Sequence, residues 1–585
     1  MRRIAIELVV LAAACGGAAR PAARTDATAF AAPEPLVPAD LVGRDWLEAV
    51  HRAFHPRWVE SFLQQARTLL PASHPVNQPG LAVTLRVAVA PSGAVAVTTA
   101  RSSGVAELDQ AAREVVTASS PLPPPPEDLR SDDGNVYVEW RFAVDARRDG
   151  VAGARIDRRR YEVARAVPLL VGRGRVGEAL ERIAEEPASA EGVALARDVA
   201  GAILERALLD AREPGLRVEA AEAIGAAGWR RAAPALRRLA QDAPDLALQT
   251  AAIRALGALG DHDSAALLKD VTARLAGERS AAAAAALAAM GESAAVWRVV
   301  EPALAGAGPG KEQRLAALAA LATVGEKRSV APLAAVLADR RAPKAERVAA
   351  ATALGAAADD AAAGALRGAL ADGDAAVRAA AAGGLAEAAD RGVRSRPLLA
   401  AAIALIADRD PRVRVAAVTA AARLDARRAA PDVLRASRGA DPMVRAACAR
   451  GLADVPGAEA LQALLRLAEA GAADVRQAAV SALAARPEPE AREAAARRAG
   501  DDDVRVRAAS AAALDGAQLR QALLADASPE VRSAGLAALL AREGLLSGLP
   551  DALRLLGGAG GARERLLLAS AFLGATREGR VQSKR

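Results

Sequence analysis

Four valines, Val413, Val444, Val475 and Val506, are each followed by arginine and lie 31 residues apart, so the chain is built by copying one short unit. Each sits in a phrase of one shape, as in Asp410-Pro-Arg-Val413-Arg, Asp441-Pro-Met-Val444-Arg and Asp503-Val-Arg-Val506-Arg, with Leu452, Leu483 and Leu514 eight residues beyond the last three valines. Apolar residues at this spacing share one helix face. A unit this short cannot bury that face alone, so neighbours must stack into a quasi-one-dimensional array. Aligned on the valine position, the copies run through Leu216, Leu248, Arg279, Gln313, Glu346, Val377, Val413, Val444, Val475, Val506 and Val531, which makes eleven approximate copies.

Each copy reads as two helices. A first helix such as Ala232-Ala-Pro-Ala-Leu-Arg-Arg-Leu239 is followed by a turn bearing Asp or Pro, and a second helix carries the Val-Arg phrase. Asp410 and Asp441, each just before proline, are placed to accept hydrogen bonds from orphan backbone N–H groups at the second helix start. Gly225, Gly257 and Gly355 are expected to turn the chain out of that helix. At 585 residues the chain exceeds the size at which a single core stops growing, which a repeat array accommodates. Aromatic residues are 2% of the chain against 52% apolar, so the core must be Ala, Leu and Val, which suits thin, closely packed helices. The net charge of +7 is spread along the chain, and only five of the 77 basic residues are lysine, a bias of composition rather than a nucleic-acid footprint.

The N-terminus reads as an export signal: Arg2 and Arg3, an apolar run from Ile4 to Ala14, then small residues before Cys15. The run is too short to cross a bilayer as a mature helix, which needs about 20 apolar residues. Leu11-Ala-Ala-Ala-Cys15 resembles a bacterial lipoprotein box, which implies a signal over 1–15, lipidation of Cys15 and an Ala/Pro-rich tether over 16–42. Cys448 is then the one remaining thiol and reads as a small buried hydrophobe.

Residues 43–147 have a different grammar. Trp46 to Leu70 carries helical apolar spacing, with Pro56 dividing two expected short helices. Leu81, Val83, Leu85, Val87 and Val89 alternate, Pro91-Ser-Gly93 supplies a turn, and Val95 and Val97 resume the alternation, the pattern of a β-hairpin. A helix over about Val105 to Val116 follows Ser102-Ser-Gly104, and after the prolines 121–126 the run Val136 to Val144 alternates as a third strand. This order, with Glu107-Leu-Asp-Gln-Ala-Ala112 after the Ser-Ser-Gly, resembles the C-terminal domain of the TonB energy transducers. The resemblance implies a small α+β domain that accepts peptides along a sheet edge, with Tyr137, Glu139 and Arg141 on the exposed face of the last strand as candidate partner-binding residues. TonB transducers place this domain last, behind a spanning helix; here it comes first, so partner docking is implied without energy transduction.

Residues 148–205 read as a helical connector, and 206–585 as the array with a C-terminal cap. The Val-Arg phrases, their turns and their register resemble HEAT repeats, particularly the short variety named after phycobilisome lyases. The fold class is thus mostly α, a HEAT-type α-solenoid behind a small TonB-like α+β domain. The resemblance implies that the Asp and Arg of each phrase bond within and between units, a structural role for Asp374, Arg378, Asp410, Arg414, Asp441, Arg445, Arg476, Arg507 and Arg532.

Little in the sequence points to catalysis. Of four histidines only His51 and His55 share a helix face, and no carboxylate-rich phrase accompanies them. No Gly-rich loop ending in Lys-Ser or Lys-Thr occurs, nor a Gly-x-Ser-x-Gly elbow. No enzyme activity, catalytic residue, metal or cofactor is expected. The expected function is a cell-envelope scaffold on the periplasmic side, an outer-membrane lipoprotein binding proteins or extended peptides and not nucleic acid. The alternative is a cytosolic nucleic-acid-binding or DNA-repair HEAT protein, with Trp229 and Trp297 as its stacking residues.

Overall fold

The computed structural model describes residues 43–145, 150–274, 277–304, 311–357 and 359–582. The expected leader, Cys15 and the tether at 16–42 lie outside the described residues. The chain divides after Glu186 into two compact units.

The first unit is built on alternation. β1 (Ala82–Val89) buries Val83, Leu85, Val87 and Val89, and β3 (Val136–Ala143) buries Val136, Val138, Trp140 and Phe142. With β2 (Val95–Arg101) and β4 (Ala154–Asp157) they form an antiparallel sheet in the order β2-β1-β3-β4. Gly93 in the first turn has φ near +83°, and a Cβ there would lie 2.0 Å from the Leu122 carbonyl oxygen, so both conformation and space demand glycine. Trp46, Leu47, Val50 and Phe54 from the helix Arg44–His55, with Leu108, Ala112 and Val116 from Ala106–Ala118, join the buried strand residues in one core. The Ser-Ser-Gly and Leu-Asp phrases meet here: the Asp109 carboxylate accepts from the Ser103 backbone N–H at 2.9 Å and its hydroxyl at 2.6 Å.

Two features differ from the sequence reading. Pro56 does not separate two helices; the helix runs on through Pro56–Leu63 with a wider π turn into Gln64–Leu69. Proline lacks the N–H for the usual bond to the fourth preceding carbonyl, and the chain absorbs the loss by changing pitch. The strand β4 was not foreseen, and it pairs along β3 from Tyr137 to Trp140.

The second unit is helical pairs. Second helices begin under aspartate caps: Asp245, Asp374, Asp410, Asp441 and Asp503 each accept a backbone N–H with the side chain. Between units the long run Pro411–Ala436 is two helices joined at Asp425, whose backbone is extended. Each second helix packs on those before and after it, and these helices approach one another more closely than the first helices do. Unequal spacing of two layers curves the wall, with the second helices inside.

Glycine explains the close approach and corrects the expectation that Gly225, Gly257 and Gly355 end their helices. Pro214–Ala227 and Leu246–Leu259 run past them to Gly228 and Gly260, which take the left-handed conformation. The earlier glycines sit inside, where one helix touches the next. A Cβ on Gly225 would lie 2.9 Å from the Ala255 Cα, one on Gly257 2.8 Å from the Ala286 Cα, and one on Gly355 2.6 Å from the Gly384 Cα.

The curvature is completed within this unit. The last helix, Ala562–Gln582, packs not only on Pro529–Glu543 before it but on the first two helices of the unit, Ala190–Asp210 and Pro214–Ala227. Arg563 lies 3.4 Å from the Glu219 carboxylate, and Arg577 donates to the Ala226 carbonyl. The array is therefore a solenoid whose ends meet in a ring.

Gly355→Ala should destabilise the protein by about 1–3 kcal/mol, the range for overpacking. Gly364→Ala, in an exposed helical position with nothing within 4 Å of its Cβ, should be neutral or stabilise by up to about 1 kcal/mol. Chemical denaturation of the two variants beside the parent chain checks the contrast.

Candidate functional site

The candidate residues fall into one group per unit. In the first, alternation along β3 turns Tyr137, Glu139 and Arg141 away from the core. The implied edge docking meets an obstacle, because β3 is not an edge strand: β1 pairs with one side and β4 with the other. Its backbone from Tyr137 to Trp140 is paired on both sides, so Glu139 can act only through its side chain, and Arg141 is paired with Thr84 of β1. Tyr137 is committed inside the unit. Its hydroxyl donates to Asp133, which also accepts the Tyr161 hydroxyl at 3.2 Å, and the Arg159 guanidinium lies 3.6 Å from its ring centroid. Burial, then the Asp133 carboxylate, push the Tyr137 phenol above its ordinary pKa. Glu139 accepts from Arg86 of β1 at 2.7 Å.

In the second unit the arginine after the valine position makes two kinds of bond. One nitrogen reaches back to its own turn: Arg378 donates to the Asp372 carbonyl at 2.8 Å, Arg414 to Asp408 at 3.0 Å, Arg476 to Gly471 at 2.8 Å and Arg507 to Asp501 at 2.9 Å. The others reach the acid at the next unit's turn. Arg378 grips Asp408 at 2.9 and 3.0 Å, Arg476 grips Asp501 at 2.9 and 2.7 Å, and Arg507 grips Asp526 at 2.7 and 3.0 Å. Arg414 reaches Asp441 at 3.0 Å, and Arg532 reaches Glu564 at 2.9 Å. Each guanidinium thus satisfies one turn's carbonyls and ties it to the next unit, with the planar fork suited to both. Asp374 caps its helix through the Ala376 N–H at 2.8 Å and faces Lys344 at 3.7 Å.

Arg445 makes no such bond among the described residues. The next turn reads Ala470-Gly-Ala472, with no carboxylate where Asp408 or Asp501 stands in its neighbours. Conversely, the ladder extends into central copies whose valine is replaced: Arg314 bonds Glu346 at 3.2 Å, and Arg347 pairs with Asp372. The arginine one place after Gln313 and Glu346 was the available signal.

The remaining candidates are buried or half-buried. Cys448 is fully enclosed, and burial pushes its thiol up to about 12, far from a reactive thiolate. Trp229 and Trp297 are buried, their indole N–H groups donating to Glu205 at 2.6 Å and Glu326 at 2.8 Å. Trp229 fills the space a Cβ on Gly201 would need, 2.1 Å away. His51 packs on His55 with ring centroids 4.9 Å apart, and burial, then His55, lower its pKa. Among the described residues no group of His, Cys, Asp or Glu is placed to hold a metal ion, and no helix is long and apolar enough to cross a membrane.

Removing a ladder arginine strands a carboxylate and several carbonyls. Arg378→Ala and Arg476→Ala should each cost about 1–3 kcal/mol, and Arg445→Ala much less. The Arg378 guanidinium holds Asp408 below its ordinary pKa, and Arg476 does the same for Asp501. Folded values below the unfolded one of about 3.9 mean these contributions are complete above about pH 5 and lost as pH falls through the depressed values. Denaturation at pH 7 and again near pH 3 should therefore show the Arg378→Ala deficit shrinking in acid.

Comparison with known proteins agrees with both units. The family model for the TonB C terminal matches residues 45–139, and that for HEAT repeats matches 202–288, 397–484 and 434–515. No curated protein matches the chain. Similar solved structures include the CpcE–CpcF complex of phycocyanin lyase from Nostoc sp. PCC7120, at 20% identity and TM-score 0.29, covering 41% of this chain and 94% of that one. Yeast importin-beta (Kap95p) is 16% identical at TM-score 0.32, covering 68% of this chain and 60% of that one. An engineered protein is 18% identical at TM-score 0.27, covering 64% and 98% respectively. The chain carries a TonB C-terminal domain followed by HEAT repeats.

Proposed function

We propose that the chain is a non-catalytic scaffold of the cell envelope that holds protein partners through both of its units. What carries the reading is the joining, in one chain, of a TonB C-terminal domain to a HEAT array, two folds whose surfaces serve docking rather than chemistry. The titratable residues support it. The ladder arginines are spent on their own turns and neighbours, and Cys448 is sealed in the helix stack. A nucleic-acid role gains nothing from Trp229 and Trp297, whose rings are packed between helices.

The placement we propose is the periplasmic side of the envelope, with Cys15 lipidated and residues 16–42 tethering the first unit to the outer membrane. The TonB-type domain supports the envelope. Among the described residues, twelve second helices follow one another around the ring, from Pro214–Ala227 to Ala562–Gln582. At the roughly 9 Å spacing of packed helices, a circle of that many would enclose a bore on the order of 25 Å. A helix or extended segment of a partner fits such a bore, and folded partners fit the outer wall.

Cell fractionation should recover the chain with envelope membranes, and Cys15→Ala should release it or stall its maturation. Crosslinking from those membranes should capture protein partners. Recovery of both forms from the cytosol would remove the placement, and the absence of any crosslinked protein would remove the scaffold role.

A further inference from the structure

The open face of the first unit's sheet concentrates more positive charge than the fold pairs. Two rows cross it. In one, Arg101 of β2, Thr84 of β1 and Arg141 of β3 stand in register. In the other, Arg86 of β1, Glu139 of β3 and Arg155 of β4 do so. All four arginines are exposed. Glu139 neutralises one through its 2.7 Å bond to Arg86. Arg101, Arg141 and Arg155 have no acidic partner among the described residues.

The backbone is shaped to make this cluster. A bulge in β2 leaves Ala100 unmatched, since Thr99 pairs with Leu85 and Arg101 with Thr84. Thr99 faces the helix side, where Arg113 donates to its hydroxyl at 2.8 Å. With strict alternation Arg101 would point to the core; the extra residue returns it to the open face. β4 contributes Arg155, and Gly153 just before it lies against Arg141 without a side chain to block it. The result is a concavity of about 690 Å³ between the arginines, Thr84 and Glu139.

We infer that this face binds an extended, acidic peptide segment of a protein partner by its side chains. The rows lie about 6.8 Å apart along the strands, the same distance that separates side chains two residues apart in an extended peptide. Carboxylates at alternate positions can therefore meet Arg141 and Arg155 in turn, each offering a bidentate fork. A uniform polyanion fits less well, because Glu139 sits at the centre of the face and would oppose a phosphate there, whereas a peptide can present a neutral or basic residue. The mode differs from strand addition, since β4 already occupies the β3 edge.

The inference rests on the reading of the first unit as a protein-docking module. Its test is fluorescence anisotropy of the full-length protein with a labelled hexapeptide of alternating aspartate and threonine at low ionic strength. Binding should saturate, fall about tenfold or more in the Arg101→Ala, Arg141→Ala, Arg155→Ala triple variant, and weaken with salt. Glu139→Gln, which removes the competing carboxylate, should tighten binding by about two- to fivefold. The three arginines are exposed, so unchanged circular dichroism and thermal unfolding of the triple variant separate lost binding from lost folding. Equal affinity in the parent and triple variant would overturn the inference, as would stronger competition from anionic lipid vesicles or duplex DNA than from unlabelled peptide. Capture of partners by membrane crosslinking without peptide binding would sink this inference alone and leave the scaffold standing.

Discussion

Backbone-to-backbone contact between successive second helices is the constraint on which the rest of the second unit depends. Where Gly355 meets Gly384, or Gly257 meets Ala286, there is no room for one added methyl group. Small side chains shorten the spacing of the inner layer, and first helices carrying leucines such as Leu236, Leu333 and Leu464 hold the outer layer wider. The difference is curvature. A chain richer in aromatic residues would space both layers alike and curve less, so the 2% aromatic content is a condition of the shape. The arginine ladder adds rotation control: a fork held by its own turn's carbonyls and the next unit's carboxylate fixes how one pair sits on the next.

Closure solves a problem every solenoid has. The two ends of an open array present faces that elsewhere are covered by a neighbour, and separate capping elements are needed to keep them soluble. Here the ends cover each other. Leu566, Phe572 and Leu573 of the last helix are buried, as are Val199, Leu204 and Leu208 of the helix it packs against. A partner then meets a continuous wall: the outer first helices, the rims with their capped turns, or the small and polar residues such as Ala258, Thr352 and Ser481 exposed on the inner layer. In the first unit a similar economy operates, because β4 protects an edge that would otherwise template a foreign strand.

Much of this was legible from periodicity, because both signals are local. The 31-residue spacing from Val413 to Val506 gave the helix pairs, and the alternation in Val83 to Val89, in Val95 and Val97, and in Val136 to Val144 gave three strands. The ladder was legible at Arg378, Arg414, Arg476, Arg507 and Arg532, each after a valine; it was wrongly extended to Arg445, whose next turn lacks the acid, and was missed at Arg314 and Arg347, where the preceding residue had changed but the geometry had not. β4 escaped because Ala154-Arg-Ile-Asp157 has only two apolar residues and becomes a strand only when an unpaired edge is beside it. The arginine face escaped for the same reason: Arg86, Arg101, Arg141 and Arg155 are scattered in sequence and meet only through pairing register and one bulge. Gly355 was misread because a glycine needed for helix contact and one needed for a turn look alike in sequence. Ring closure has no local signal, being the sum of many small rotations.

That sum is also the most direct thing to measure. Nitroxide labels on Glu222 and Arg565, both exposed and belonging to the first and last turns of the ring, report its closure by pulsed electron resonance. Adjacent packed helices predict one narrow distance on the order of 10–20 Å. A broad distribution at several times that distance would show an open superhelix and contradict the ring.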